Sequence, residues 1–187
     1  TVLPKQSAFT VKAKLKVTET EHNQLVTLGN FLGNKYRAEV KHLFANGGKY
    51  NRTVRKRNLT TSTSSRWAGA ITQAAREQHT LSMTATREAI DAKTRTLRKL
   101  AVKGDWAVSR CLVLEQEIRE LRQQLARKQP KVVLGGRQLW SEAQRDPAKM
   151  AEFKSRRLFI EAAGDKDQKH GNGCIQLSAE GELVINV

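Results

Sequence analysis

The chain has 187 residues, with 34 Lys and Arg against 18 Asp and Glu, and a formal net charge of +16. That length holds one good core or two small ones. A positive excess of this size repels itself unless a polyanion neutralises it, which sets aside an ordinary enzyme surface and makes nucleic acid the expected partner. There is no long apolar run and no basic amphipathic helix with an aromatic face, so no membrane partner is expected. The opening "TVLPKQSAFTVKAK" lacks the apolar core and cleavage pattern of a signal peptide. Cys111 and Cys174 stand far apart with no CxxC, which suggests two reduced thiols in a reducing, cytoplasmic compartment.

In chain order, the first element is "FTVKAKLKV", residues 9–17, where apolar residues alternate with Thr10, Lys12, Lys14 and Lys16. Period two predicts a half-buried strand. Its wet face spaces the lysines about 6.8 Å apart, two strand rises each. The row is either a rail for phosphates or the lysine guard of an edge strand.

A helix follows, with Thr18 or Thr20 as cap, Glu19 and Glu21 in the first turn, and Leu25, Leu28, Leu32, Tyr36, Val40 and Leu43 on one stripe. Gly29 and Gly33 either admit another backbone or are plain weak spots. "ANGGKYN" ends the helix. The stretch 49–65 has five basic residues in its first nine and then a Ser/Thr run, and reads as a flexible loop ending in N-caps. Helices are predicted over about 64–78, 84–102 and 106–128, the last capped by Asp105. Cys111, Leu114, Ile118, Leu121 and Leu125 form a heptad seam on it. The seam predicts an antiparallel hairpin with the preceding helix, a dimer interface being the alternative.

Pro130 stops the helices. "KVVL" (131–134) and "RLFIEAA" (157–163) read as strands and "RQLWSEAQ" as a short helix. Asp146-Pro147 starts another helix, and "CIQLSAEGELVINV" reads as a hairpin about Glu180-Gly181. The expected fold class is therefore α+β: a small β-barrel-like domain with a helical domain inserted after its first strand.

Catalytic chemistry has little support. The four histidines show no metal spacing, no GxSxG elbow occurs, and Asp165 and Asp167 read as solvated loop acids. Gly135-Gly136 matches neither GxxxxGK[ST] nor GxGxxG, and reads as a turn.

The runs "VVLGGRQLWSEAQ" and "EFKSRRLFIEAAGDKDQKHGNGCIQLSAEGELVINV" resemble the wedge domain of TnpB, the transposon-encoded RNA-guided nucleases, and of the compact type V CRISPR effectors descended from them. The matching positions are Gly135, Gly136, Arg137, Leu139 and Trp140, then Arg156 and Arg157, then Gly171 and Asn172. "FTVKAKLKVTETEHNQLVTLGN", with Leu28-Gly29, is similar to the family's first strand and helix, and "SSRWAGAITQAARE" to a helix of its recognition lobe. Thr18 stands where the family usually has Pro.

The resemblance implies a first wedge strand at 1–18, a recognition domain at 19–130 and the remaining wedge at 131–187. It also implies a bacterial or archaeal protein whose partners are guide RNA, a target DNA duplex and the RNA–DNA heteroduplex. The family's RuvC nuclease half and zinc ribbon have no counterpart in these residues. No catalytic residue, metal site or cofactor is therefore expected here; Mg would belong to a separate C-terminal nuclease half. Base pairing would carry sequence and the protein would hold backbones.

Backbone contacts are expected from Lys12, Lys14, Lys16, Lys49, Arg52, Arg55, Lys56, Arg57, Arg76, Arg137, Arg156, Arg157, Lys166, Lys169 and His170. Thr63, Ser65, Arg66 and Gln73 are the candidates for reading a duplex motif, with helix capping as the alternative for the Ser/Thr run. Tyr50 is the first candidate for base stacking. Trp67, Trp106 and Trp140 are read as core, with stacking as the alternative. The competing function is that of a stand-alone structural RNA-binding protein.

Overall fold

The computed structural model describes residues 15–102, 107–162, 174–178 and 181–186. Lys12, Lys14, Asp105, Trp106, Lys166, Lys169 and His170 lie outside them. The architecture is mostly helical. Its helices are α1 (Glu19–Ala45), α2 (Arg52–Thr60), α3 (Ser65–Ala101), α4 (Val108–Arg127), α5 (Arg137–Ala143) and α6 (Pro147–Ser155), followed by strands β1 (Ile175–Leu177) and β2 (Leu183–Ile185).

The expected barrel is not formed: among the described residues the two strands make one open antiparallel sheet. The hairpin has the register Ile175↔Ile185, Gln176↔Val184, Leu177↔Leu183. The other apolar runs cover helices instead of pairing with one another. Val132 and Leu134 pack on Val40, Leu43 and Phe44, while Val133 packs with Leu139, Ala143 and Phe153. Residues 158–162 likewise carry no ladder. Phe159 stacks on Tyr36 with ring centroids 4.9 Å apart, and its amide donates to the Gly29 carbonyl at 3.1 Å. Residues 15–17 are in no strand, and Leu15 and Val17 are exposed.

α1 begins on a capping box. The Thr18 hydroxyl accepts from the Glu21 amide at 3.3 Å, and the Glu21 carboxylate accepts from the Thr18 amide at 2.7 Å. Donation from the Thr18 amide, and then from the Thr18 hydroxyl, holds the Glu21 carboxyl below its ordinary range. The apolar stripe is as expected, with Leu32, Val40 and Leu43 buried against α3. Gly29 and Gly33 prove to be points of close approach. A Cβ on Gly33 would stand 2.6 Å from the Arg157 carbonyl oxygen, and one on Gly29 3.2 Å from Leu158 Cβ.

α3 is one helix, not the two expected. Its buried stripe continues from Ala75 through Ser82 and Thr86 to Ile90. The two polar members satisfy themselves locally: the Thr86 hydroxyl donates to the Ser82 carbonyl at 2.7 Å, and Gln78 Nε2 donates to Ser82 Oγ at 3.2 Å. α4 returns antiparallel along α3. Lys93 pairs with Glu117 at 2.6 Å, and His79 Nε2 donates to the Lys128 carbonyl at 2.9 Å. Leu114 and Ile118 of the heptad seam are buried, so the seam serves an intramolecular hairpin.

The largest cluster joins Leu32 of α1, Leu59 of α2 and Trp67, Ala68 and Ile71 of α3 to Phe159 and Cys174. Residues on both sides of position 130 thus share one core. Trp67 is fully buried, and its indole N–H donates to the Asn186 carbonyl at 3.0 Å, tying the hairpin to α3.

Two glycines provide the test. Gly33→Ala drives a methyl into a backbone oxygen and should lower stability by about 1–3 kcal/mol despite better helix propensity. Gly69, inside α3, has only the Lys56 side chain at 3.7 Å from an added Cβ. Gly69→Ala should therefore raise stability by about 0.5–1 kcal/mol. Urea midpoints measure both, and the opposite order would refute the crossing at Gly33.

Candidate nucleic-acid interface

The basic stretch expected as a flexible loop is a helix. Asn51 caps α2, its side-chain oxygen accepting from the Val54 amide at 3.2 Å. Four cations in nine residues do not favour an isolated helix. Two anchors hold it. Leu59 enters the main core, and Arg55 closes on Glu39 of α1. Arg55 Nη2 donates to Glu39 Oε2 at 2.7 Å, and its Nε lies 3.2 and 3.3 Å from the two carboxylate oxygens. Glu39 is 1% exposed. A fork on a dry carboxylate fixes direction as well as distance. It also raises the Arg55 pKa, so the guanidinium keeps its charge.

Tyr50 belongs to the same knot. Its hydroxyl is buried beside Glu39, and burial followed by the Glu39 charge pushes its pKa up. Its ring packs on the cluster of Val40, Leu43, Phe44 and Ala75. Arg55 and Tyr50, expected to touch nucleic acid, are thus engaged inside the protein.

What the knot presents is a cleft of about 310 Å³ lined by Arg52, Thr53, Lys56, Arg57, Thr60 and Ser65. Arg52 and Arg57 are exposed, and Lys56 lays its stem over Gly69 of α3. None of the three pairs with a described carboxylate. The cleft collects four of the expected contacts in one place: Arg52, Lys56, Arg57 and Ser65.

The remaining candidates are dispersed. Thr63 donates to the Leu59 carbonyl at 2.9 Å, and Ser64 caps α3. Gln73 donates to Glu77 at 2.6 Å. Arg66 is half-buried, while Lys16, Lys49 and Arg76 are exposed. Arg137 is exposed and lines a groove between α3 and α4. Arg156 pairs with Glu152 at 2.7 Å.

Arg157 lies on another face. Its guanidinium carbon is 5.2 Å from the Phe153 ring centroid, and its carbonyl accepts from Arg37 Nη1 at 3.0 Å. Gly135 makes the expected turn with φ 98°, and an added Cβ would meet Phe153 at 2.9 Å. Trp140, expected in the core, is 40% exposed.

Glu39, Arg37 and Lys41 were not among the expected residues. Glu39 carried a signal: it stands seven residues after Leu32 and four before Leu43, on the buried stripe. A carboxylate there demands a cation, and Arg55, 16 residues on, supplies it.

Among the described residues, no group of three or more His, Cys, Asp or Glu gathers to hold a metal, and no helix is long and apolar enough to cross a membrane. No family model, curated protein or solved structure matches the chain.

Breaking the knot on one side should cost more than removing it. Glu39→Gln leaves the half-buried Arg55 without its counter-ion and should destabilise by roughly 1–3 kcal/mol. Glu39→Gln combined with Arg55→Met should recover part of that stability. Chemical denaturation of the three proteins decides, and equal destabilisation would mean that the pair does not hold α2.

Proposed function

We propose that the chain binds nucleic acid through its phosphate backbone, as the guide-RNA- and target-DNA-holding portion of a TnpB-like or type V RNA-guided DNA endonuclease. The observation that carries the binding is the α2 cleft, with three cations on a pinned helix and no described carboxylate to neutralise them. Phosphate contacts dominate the affinity of such surfaces, and each contact releases condensed counterions. A row of cations on a pinned helix positions a backbone without reading sequence, which suits a protein whose specificity comes from a guide. The RNA-guided assignment rests on the ordered resemblance over "VVLGGRQLWSEAQ", "EFKSRRLFIEAA" and the opening helix. Catalysis is assigned to none of these residues; a nuclease half with its Mg would supply it.

The second reading, a stand-alone structural RNA-binding protein, shares the charge but not the guide. Sequencing the nucleic acid that copurifies with the protein separates them. One structured RNA with a variable end is expected; ribosomal RNA, or nothing specific, would sink the RNA-guided reading.

The cleft has its own test. Replacing Arg52, Lys56 and Arg57 together by Gln should flatten the plot of log affinity against log salt by about 0.9 for each duplex phosphate that the cleft no longer neutralises. An unchanged slope would mean that the cleft touches no phosphate.

A further inference from the structure

A groove of about 550 Å³ lies between α1, residues 130–134 and the α5–α6 pair. Its floor is apolar, with Val40, Phe44, Val132 and Leu134 among its lining residues. Trp140 stands at its side, 40% exposed, with its ring centroid 4.9 Å from that of buried Phe153. Phe153 fixes one flank of the indole, and the exposed part remains open for a second ring.

The charged lining is all of one sign: Arg37, Lys41 and Arg157. None of the three pairs with a described carboxylate. Arg157 Nε is buried with no hydrogen-bond partner among the described residues. Burial and then the Arg157 charge lower the Arg37 pKa, the mark of two like charges held together. The fold keeps the cations close regardless, because Arg37 is bonded to the Arg157 carbonyl and to Asn34. An anion in the groove would relieve the repulsion, and an aromatic ring would cover the indole. A nucleotide brings both.

We propose that this groove takes one unpaired nucleotide of a single-stranded nucleic-acid segment, its base stacked on Trp140 and its phosphate held by Arg37, Lys41 and Arg157. The site deepens the proposed function and rests on it. It differs from the α2 cleft, whose lining includes no aromatic side chain and offers only backbone contacts.

The test compares an oligoadenylate octamer with an abasic ribose-phosphate octamer of the same charge, as RNA and as DNA, against the wild-type chain. Wild type should bind the base-bearing octamer about tenfold more tightly. Trp140→Leu, which keeps apolar cover over Phe153, should abolish that difference, and Trp140→Phe should restore most of it. Lys41→Gln, on an exposed part of α1, should lower the salt slope by about 0.7 for both octamers and leave the base preference intact. A preference for the RNA octamer over the DNA octamer would identify guide RNA as the occupant, and the reverse preference displaced DNA. Binding of both octamers with no base preference, or a preference that Trp140→Leu leaves unchanged, overturns the stacking site and spares the backbone reading. With a duplex of the same length measured beside them, a wild type that binds the duplex but neither octamer overturns the groove site alone, and one that binds none of them overturns both.

Discussion

The structure depends on one crossing, where the backbone at 157–159 lies across α1 at Gly29 and Gly33. The room left by the missing side chains lets a carbonyl oxygen come within 2.6 Å of where a Gly33 Cβ would stand. The Phe159 amide then finds a helix carbonyl, and the Arg157 carbonyl finds the Arg37 guanidinium. A buried backbone that leaves sheet pairing must find such partners. With the crossing in place, Phe159 and Cys174 complete a core that α1, α2 and α3 form only in part. Glycine is a poor choice inside a 27-residue helix on propensity alone; here its cost is offset by the packing it admits.

The positive charge follows from a division of labour on α2. Arg55 is used inside, on Glu39 and beside Tyr50, and the cations around it remain outside. An ion pair this dry gives little net stability over a well-packed apolar pair, because desolvating both charges offsets their attraction. Its value is directional, because the bidentate fork sets the rotation of a nine-residue helix that buries only Leu59 otherwise. α2 is therefore formed without a ligand, and the backbone that carries Arg52, Lys56 and Arg57 is in place before the proposed phosphate contact. The backbone share of the ordering cost would thus be removed from that binding.

The helices are legible in the sequence where their chemistry is local. Thr18 with Glu21, Asp146 with Pro147 and the stripe from Leu25 to Leu43 each specify their element without reference to the rest. The apolar pattern divides α3 into two helices because its buried stripe passes through Ser82 and Thr86, which apolar periodicity does not count. The β-rich reading fails at 131–134 and 157–162 for a different reason. A short apolar run fits a strand or a covering segment equally well, and these runs face helices. α2 is hidden because its propensity is poor and Glu39, the partner of Arg55, is 16 residues away. Of the candidate residues, Arg52, Lys56, Arg57 and Ser65 gather in the cleft and the others do not, whereas Arg37 and Lys41 become visible only when residues 130–134 close over α1.

The two candidate surfaces share a scaffold and differ in what they can hold. Successive residues on a helix are turned by about 100°, so positions two apart face away from each other. Arg37 and Glu39 are two apart on α1, and their partners, the Arg157 carbonyl and Arg55, belong to separate parts of the chain. One helix thus directs residue 37 toward a groove that contains an exposed indole and residue 39 toward Arg55 of α2, the helix that carries the cleft of cations and hydroxyls. The cleft suits a regular phosphate backbone, where bases are paired and out of reach. The groove suits a strand whose bases are free to leave the stack. A protein that holds both duplex and unpaired nucleic acid needs surfaces of these two kinds, and α1 supplies a common frame for them.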